Sequence, residues 1–459
     1  MAGGHDPTRR TLLRGFGAAA MVCPFAAGMA RAEGNAAPDN NATGQPRVTQ
    51  APQANESSPG DYVSPYGAHQ AGIVTPRPAH GMVASFHVLA DTPADLERLL
   101  RRLGERIAFL TRGGEVPQVD PGLPPADSGL LGPVIRPDAL TITVALGADL
   151  FDRHDWLSPH RPRQLVRMPK FPNDAPDASI LHGDLALQIC ANTQDATIHA
   201  LRDIIKSVPD QLLLAWKQEG SVPVIPPRPA GEIENARNFL GFRDGSANPD
   251  ASDAAQMDRI VWVGAAQGEP GWTHGGSYAA VRIIRNFVER WDRTPLAEQE
   301  RIMGRVKSNG APLDRRHATE MDVPDYEADP DGQATAMDAH IRLANPRTPD
   351  SRRNLILRRP FNYSNGVTKS GQLDQGLLFI CWQADLAQGF VAVQDRLNGE
   401  PLEEYIKPVG GGYFFALPGV PAPGGTLGGT LFAAARAAQP APASGPAGPR
   451  PASIHRTGD

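Results

Sequence analysis

Read by hydrophobic periodicity, the chain passes through the same order of elements twice, and few architectures accept such a duplication. Residues 82–89 alternate as a strand does, and residues 93–110 carry Leu96, Leu99, Leu100 and Leu103 at helical spacing. Strands follow at 140–146 and 184–190, then a helix over 193–207 capped by Asn192 or Thr193, then a strand over 211–216. The second half repeats this plan. It has a strand at 277–287, a helix at 295–306 with proline in its first turn, strands at 354–359 and 377–383, a helix at 386–397 and a strand at 412–417. Each half reads β-α-β-β-α-β, the ferredoxin-like arrangement, in which helices cover one face of an antiparallel sheet. The fold class expected is α+β: two ferredoxin-like domains whose antiparallel sheets pack together or form a barrel-like duplication. Residues 307–353 interrupt the second copy without clear periodicity, and so long an insertion is uncommon unless it has work to do.

A length of 459 residues allows about three domains, but neither end is built like a core. In residues 1–32, Arg9-Arg10 stands ahead of a modest apolar stretch at 15–29, and Ala30-Arg31-Ala32 offers small residues for cleavage. This resembles a twin-arginine signal peptide, the class that exports folded proteins, so a periplasmic location is expected. Residues 33–60 and 437–459 are dominated by small and polar residues and proline, which cannot bury enough surface to order themselves. The organisation expected is therefore a leader over 1–32, a disordered linker over 33–60, an N-terminal ferredoxin-like domain over 61–230, a C-terminal one over 231–436, and a disordered tail over 437–459. A net charge of −5 gives no basic field for nucleic acid, and no later apolar run approaches membrane-spanning length. The three cysteines are too few and too far apart for a disulfide framework or a thiolate metal site. Cys190 and Cys381 fall in apolar strands and read as inert core thiols.

No phosphate-binding loop, zinc-protease helix, C-x-x-C pair or serine-nucleophile elbow occurs. Two other segments can carry chemistry. The first is Asn238-Phe239-Leu240-Gly241-Phe242-Arg243-Asp244-Gly245-Ser246-Ala247-Asn248-Pro249, a loop by every local rule. A carboxylate between glycines can come close to a planar ligand, although an ordinary Asp-Gly turn between the halves has the same sequence. The second runs from Asp338 through His340 and Arg342 to Asn345-Pro346-Arg347, and on to Arg358-Arg359. One histidine at the close of the insertion, with arginines near it in sequence, suits a ligand carrying both a metal and acidic groups. Because a strand alternates its faces, only one of Arg358 and Arg359 can face a given pocket.

Gly241-Phe242-Arg243-Asp244-Gly245 with Asn248-Pro249 is similar to the G-x-x-D-G signature of dye-decolorising peroxidases. The stretch from His340 to Arg347, the strand to Arg358, and Gly410-Gly411-Gly412-Tyr413-Phe414-Phe415 resemble the same family in its exported deferrochelatase/peroxidase form. So does Tyr66-Gly67-Ala68-His69-Gln70-Ala71-Gly72-Ile73, and the resemblance extends over residues 62–420. It implies a pair of ferredoxin-like domains, in agreement with the repeat. It also implies one haem b (iron protoporphyrin IX) per chain, bound by the second domain. His340 would be the iron ligand and Glu404 the acid that receives its other N–H, with Glu403 the nearest rival. Asp244 and Arg358 would be the catalytic pair on the opposite face. Gly245, Ser246 and Ala247 would cross the haem, and Asn345, Pro346 and Arg347 would approach its edge, the arginine being suited to a propionate. Ser246 stands where threonine is common, and Pro360 follows the two arginines.

The activity implied is that of a haem peroxidase, oxidising dyes, phenols or other one-electron donors with hydrogen peroxide. Asp244 would move the peroxide proton, and Arg358 would stabilise the negative charge of O–O cleavage. A free aspartic acid ionises near ~3.9 against ~6.5 for histidine, so activity favoured at acid pH is expected. Trp262, Trp272, Tyr278, Trp382 and Tyr413 are candidates to relay electrons to the surface, although aromatics so placed are ordinarily core. The alternative function is a periplasmic deferrochelatase that releases iron from haem for iron uptake. The same His340 pocket serves both. A homo-oligomer and partners from an iron-uptake system are left open by the sequence.

Overall fold

The computed structural model describes residues 60–225 and 234–438. The expected leader at 1–32, nearly all of the linker at 33–60 and the boundary near residue 230 lie outside the described residues, as does the tail beyond Ala438.

The first half supplies strands β1 (His80–Val88), β2 (Thr141–Gly147), β3 (Leu185–Ala191) and β4 (Leu212–Ser221), paired antiparallel in the order β2-β3-β1-β4. The second half supplies β5 (Ser277–Asn286), β6 (Phe361–Val367), β7 (Leu373–Gln383) and β8 (Ile406–Ala416), in the order β8-β5-β7-β6. Numbered within its own half, each sheet has the strand order of a ferredoxin-like unit. The two sheets join edge to edge. At one seam Ala145–Gly147 pairs with Phe414–Ala416; at the other Ser221 pairs with Asn362. The eight strands thereby form a closed ring, which removes the exposed edges that each sheet would have alone.

Alternation along the strands sorts the side chains. Val83, Ala145, Ala186, Trp216, Val281, Phe361, Ile380 and Trp382 fill the interior of the ring. Outside the first sheet lie two helices, α1 (Pro93–Arg112) and α2 (Gln194–Ser207). Helix α1 starts where Thr92 accepts a hydrogen bond from the Asp95 N–H, and it buries Leu96, Leu99, Leu100, Leu103, Ile107 and Leu110 on one stripe. Thr193 caps α2, accepting from the Ala196 N–H.

Among the described residues the second half has no helices of that length. Helix α3 (Leu296–Met303) stops at Gly304, whose φ of 87° closes it in the left-handed region. Helix α4 (His340–Ala344) has five residues, and α5 (Ala392–Leu397) follows a π-helical turn at Ala387–Val391. These pieces do not seal the outer face of the second sheet, and the insertion covers a cavity there.

The strand expected at 354–359 is shifted. Residues 350–354 form a 3-10 turn, a two-residue strand Leu357–Arg358 pairs with β7, and the main strand begins at Phe361. The Cα partners Arg358↔Cys381 and Phe361↔Leu378 keep one register, so this is a single strand interrupted where Pro360 has no N–H to donate. As alternation requires, Arg358 and Arg359 go to opposite faces. Arg359 turns inward, 5% exposed, and donates to the Thr75 and Pro76 carbonyls.

The seam at Ser221↔Asn362 depends on close approach. Gly81 leaves room for the fully buried ring of Phe361, and a β-carbon at Gly220 would meet the Phe361 β-carbon and the Asn362 carbonyl. Phe361→Ala is expected to cost about 3–5 kcal/mol, read as a lower urea midpoint at unchanged slope. An unaltered midpoint would show that this seam contributes little to closure.

Candidate active site

The cavity over the second sheet encloses about 260 Å³. Its floor is the outward face of the strands, with Ile284, Leu377, Phe379, Ile406 and Pro408; further apolar wall comes from Leu240, Phe242, Ile341, Leu355 and Leu402. Into this apolar space project two separate polar devices.

The first is a histidine backed by a carboxylate. His340 is the first residue of α4, and the last carbonyls of that helix, from Leu343 and Ala344, accept hydrogen bonds from Arg396. His340 Nδ1 lies 2.7 Å from Glu400 Oε2, and the side chains are 30% and 3% exposed respectively. Burial works to lower the basicity of the imidazole, but the charge and hydrogen bond of Glu400 outweigh it, and the net direction is upward. With Nδ1 engaged, Nε2 is the nitrogen left to bind a metal, and its partner makes it a stronger donor.

This corrects the expectation for Glu404. Glu404 points to solvent, 3.8 Å from Arg290, and Glu403 accepts from the Gly399 N–H. Gly399, at φ 85°, turns the chain so that Glu400, at the cap of the 3-10 turn Pro401–Glu404, faces inward. The only trace of Glu400 in the sequence is its place in Gly-Glu-Pro, which reads as an ordinary turn.

The second device is the pair Asp244 and Arg358, joined by a 2.6 Å bond from Arg358 Nη1 to Asp244 Oδ1. Both line the cavity. Asn248 fixes the arginine's backbone: its Oδ1 accepts from the Arg358 N–H at 2.8 Å and its Nδ2 donates to the Arg358 carbonyl at 2.9 Å. The side-chain amide thus replaces a strand partner at the place where Pro360 interrupts the ladder.

The loop carrying Asp244 is pinned from the insertion. Glu320, 3% exposed, accepts from the Asn235 N–H and Nδ2, each at 2.8 Å, and from Ser246 Oγ at 3.0 Å. Arg243 ties the loop to Glu234 and to the Asn235 carbonyl. Gly245 is required because Asn235 packs where its β-carbon would be. Neither Glu320 nor Asn235 stands out by periodicity or motif, so sequence reading misses them.

Of the residues singled out from the sequence, Asp244, Ser246, Ala247, His340, Asn345, Arg347 and Arg358 line one cavity. Gly245 and Pro346 lie beside it in the chain without forming its wall. Arg347 has a φ of 62°, and its N–H donates to Asn345 Oδ1 at 3.3 Å. A non-glycine residue held in the left-handed region marks a position under constraint. Trp262, Trp272, Tyr278, Trp382 and Tyr413 are all buried, at 6% exposure or less, so none is at the surface. Cys190 and Cys381 are free and buried.

The donor set fits haem. A single imidazole with an open Nε2, apolar walls for a flat macrocycle, and a buried Arg347 Nε without a partner match its iron, ring and carboxylates. Among the described residues no group of three or more His, Cys, Asp or Glu could hold a bare metal ion.

Comparison with known proteins agrees with this geometry. Residues 70–221 match the model of the Dyp-type peroxidase N-terminal domain, and residues 235–421 that of the C-terminal domain. A deferrochelatase of Escherichia coli O157:H7 is 54% identical over 94% of this chain and 98% of its own. That of Shigella flexneri is 54% identical over 91% and 95%. Ferric DtpA from Streptomyces lividans superposes with a TM-score of 0.72 at 32% identity, covering 84% of this chain and all of that one. A DyP-type peroxidase from Cellulomonas bogoriensis gives 0.71 at 32% identity, covering 82% and 99%.

Two substitutions separate the carboxylates. Glu400→Gln is expected to weaken haem binding by about 10–100-fold, whereas Glu404→Gln leaves it unchanged; titration of the haem-free protein followed at the Soret band checks both.

Proposed function

The chain belongs to the Dyp-type peroxidase family, and on that premise we propose how its cavity works. It is a haem-dependent peroxidase. We assign one haem b per chain, with His340 Nε2 as the iron ligand and Arg347 and Asn345 near a propionate. The observation that carries this reading is the placing of two unlike devices in one apolar cavity: an imidazole backed by Glu400, and an ion pair of Asp244 with Arg358. When bound, haem supplies the iron at which peroxide is reduced by two electrons.

The rest is the work of side chains. Asp244 accepts a proton from hydrogen peroxide and returns it to the departing oxygen, the service of a general base that becomes a general acid. Arg358, held rigid by Asn248, presents a permanent cation to the negative charge that develops on that oxygen. The apolar walls exclude water and so strengthen both effects. Glu400 fixes the ring of His340 and keeps Nε2 electron-rich. Electrons then come one at a time from a small reductant, dye or phenol.

The 54% identity to deferrochelatases favours a second reading, in which haem is also a substrate and loses its iron. The Arg9-Arg10 leader supports export to the periplasm by the twin-arginine route, where released iron would pass to an uptake system. Among the described residues no helix is long and apolar enough to cross a membrane.

Asp244→Asn and Arg358→Leu are each expected to lower kcat/KM for peroxide by on the order of 100-fold or more, with the Soret band retained; His340→Ala abolishes that band. Incubation with haem separates the two roles: metal-free protoporphyrin as product means iron release, and intact haem that consumes peroxide means peroxidase action alone.

A further inference from the structure

One corner of the cavity holds more positive charge than the roles above use. Arg305 is 6% exposed, and its Nη1 donates to two carbonyls, Gly310 at 2.7 Å and Glu320 at 3.0 Å. Among the described residues neither Arg305 nor Arg347 has a carboxylate within ion-pair distance. Burial lowers the pKa of both guanidiniums. A buried guanidinium without a counter-charge is costly, so Arg305 beside the half-buried Arg347 suits a place where an anion is received.

Beside them lies Tyr326, which also lines the cavity and whose buried hydroxyl has no hydrogen-bond partner. The charges that act on it most are those of Arg347, Arg305 and Arg342. Burial pushes the phenol up to about 12 against the pull of these guanidiniums, so near neutral pH it keeps its proton and can donate it. Its ring is fixed in place: Arg342 sits over it, 4.7 Å from the centroid. That guanidinium is held by Asp329 Oδ2 at 3.1 Å, the Thr335 carbonyl at 2.8 Å and the Asp329 carbonyl at 2.7 Å. Asp329 is anchored in turn by the N–H groups of Gln333, Ala334 and Thr335. A hydroxyl presented this rigidly and left unpaired is a preorganised donor.

We infer that Tyr326 and Arg305 complete, with Arg347, the end of the cavity that receives the carboxylates of a tetrapyrrole, Tyr326 Oη donating to one of them. The inference rests on the haem reading and adds two binding residues to it. Because these contacts go to the carboxylates and not to the iron, they hold the macrocycle independently of His340.

The test is loss of the cofactor from the holoprotein to an excess of a haem-scavenging apoprotein, followed at the Soret band. Wild type and Tyr326→Phe are each loaded with haem or with haem dimethyl ester, whose carboxylates are blocked. Tyr326→Phe is expected to lose haem about tenfold faster than wild type, the usual size for one hydrogen bond to a charged group. With the ester the two proteins should differ by less than about twofold on the same grounds, and their haem-free melting temperatures should coincide. Equal rates of haem loss would overturn the assignment. So would a variant that loses haem and ester equally faster, with a lowered melting temperature, since Tyr326 would then be structural only. A wild-type protein that takes up no haem would instead overturn the haem reading, and this assignment with it.

Discussion

A four-stranded antiparallel sheet has two edges, each a row of N–H and C=O groups that must be paired or covered. The two halves of this chain meet that demand with each other, at Ala145–Gly147 with Phe414–Ala416 and at Ser221 with Asn362. Both joins are short, and the segment before β1 supports them. Gln70 Nε2 donates to the Val144 and Leu417 carbonyls across the first seam. Near the second, Arg77 donates to the Pro360 carbonyl, and Arg359 donates back to Thr75 and Pro76. Closure fixes which face of each strand looks inward, and therefore which of two adjacent arginines reaches the cavity.

From closure follows the difference between the halves. The first sheet packs its outer face against two long amphipathic helices. The second has only short helical pieces, so its outer face remains available, and the insertion folds over it with His340 at its close. The insertion thus covers the cavity and brings His340 to it. It supplies Glu320 to hold the Asp244 loop, Tyr326 and Arg342 in one corner, and His340 itself. One sheet plan serves two ends: the first copy stabilises, and the second binds.

What could be read from sequence follows the range of the forces involved. The amphipathic stripe of α1, the alternation of β2 and β3, and the proline and cap signals are local, and the elements appear where they indicate. The strand β6 was hidden because Asn362, Ser364, Asn365 and Gly366 look like loop residues; their place is decided by pairing with β7. His340, Asp244 and Arg358 were visible through a family resemblance and not through periodicity. Glu400 was not, because its approach to His340 depends on the turn at Gly399 and on the packing of a distant strand. Tyr326 and Arg305 carry no local signal, and only the wall they share gives them a role.

The hydrogen bond between His340 and Glu400 spans 60 residues of chain. Between these two residues lie β6, β7 and α5, so the imidazole does not meet its carboxylate until most of the second half has folded. Contacts so distant in sequence form late, since loop-closure entropy must be overcome before they bring any reward. A chain leaving the ribosome therefore cannot bring Glu400 to His340 until β6, β7 and α5 have been synthesised. The pairing of imidazole and carboxylate is thus a property of the completed second half and of no shorter piece of it.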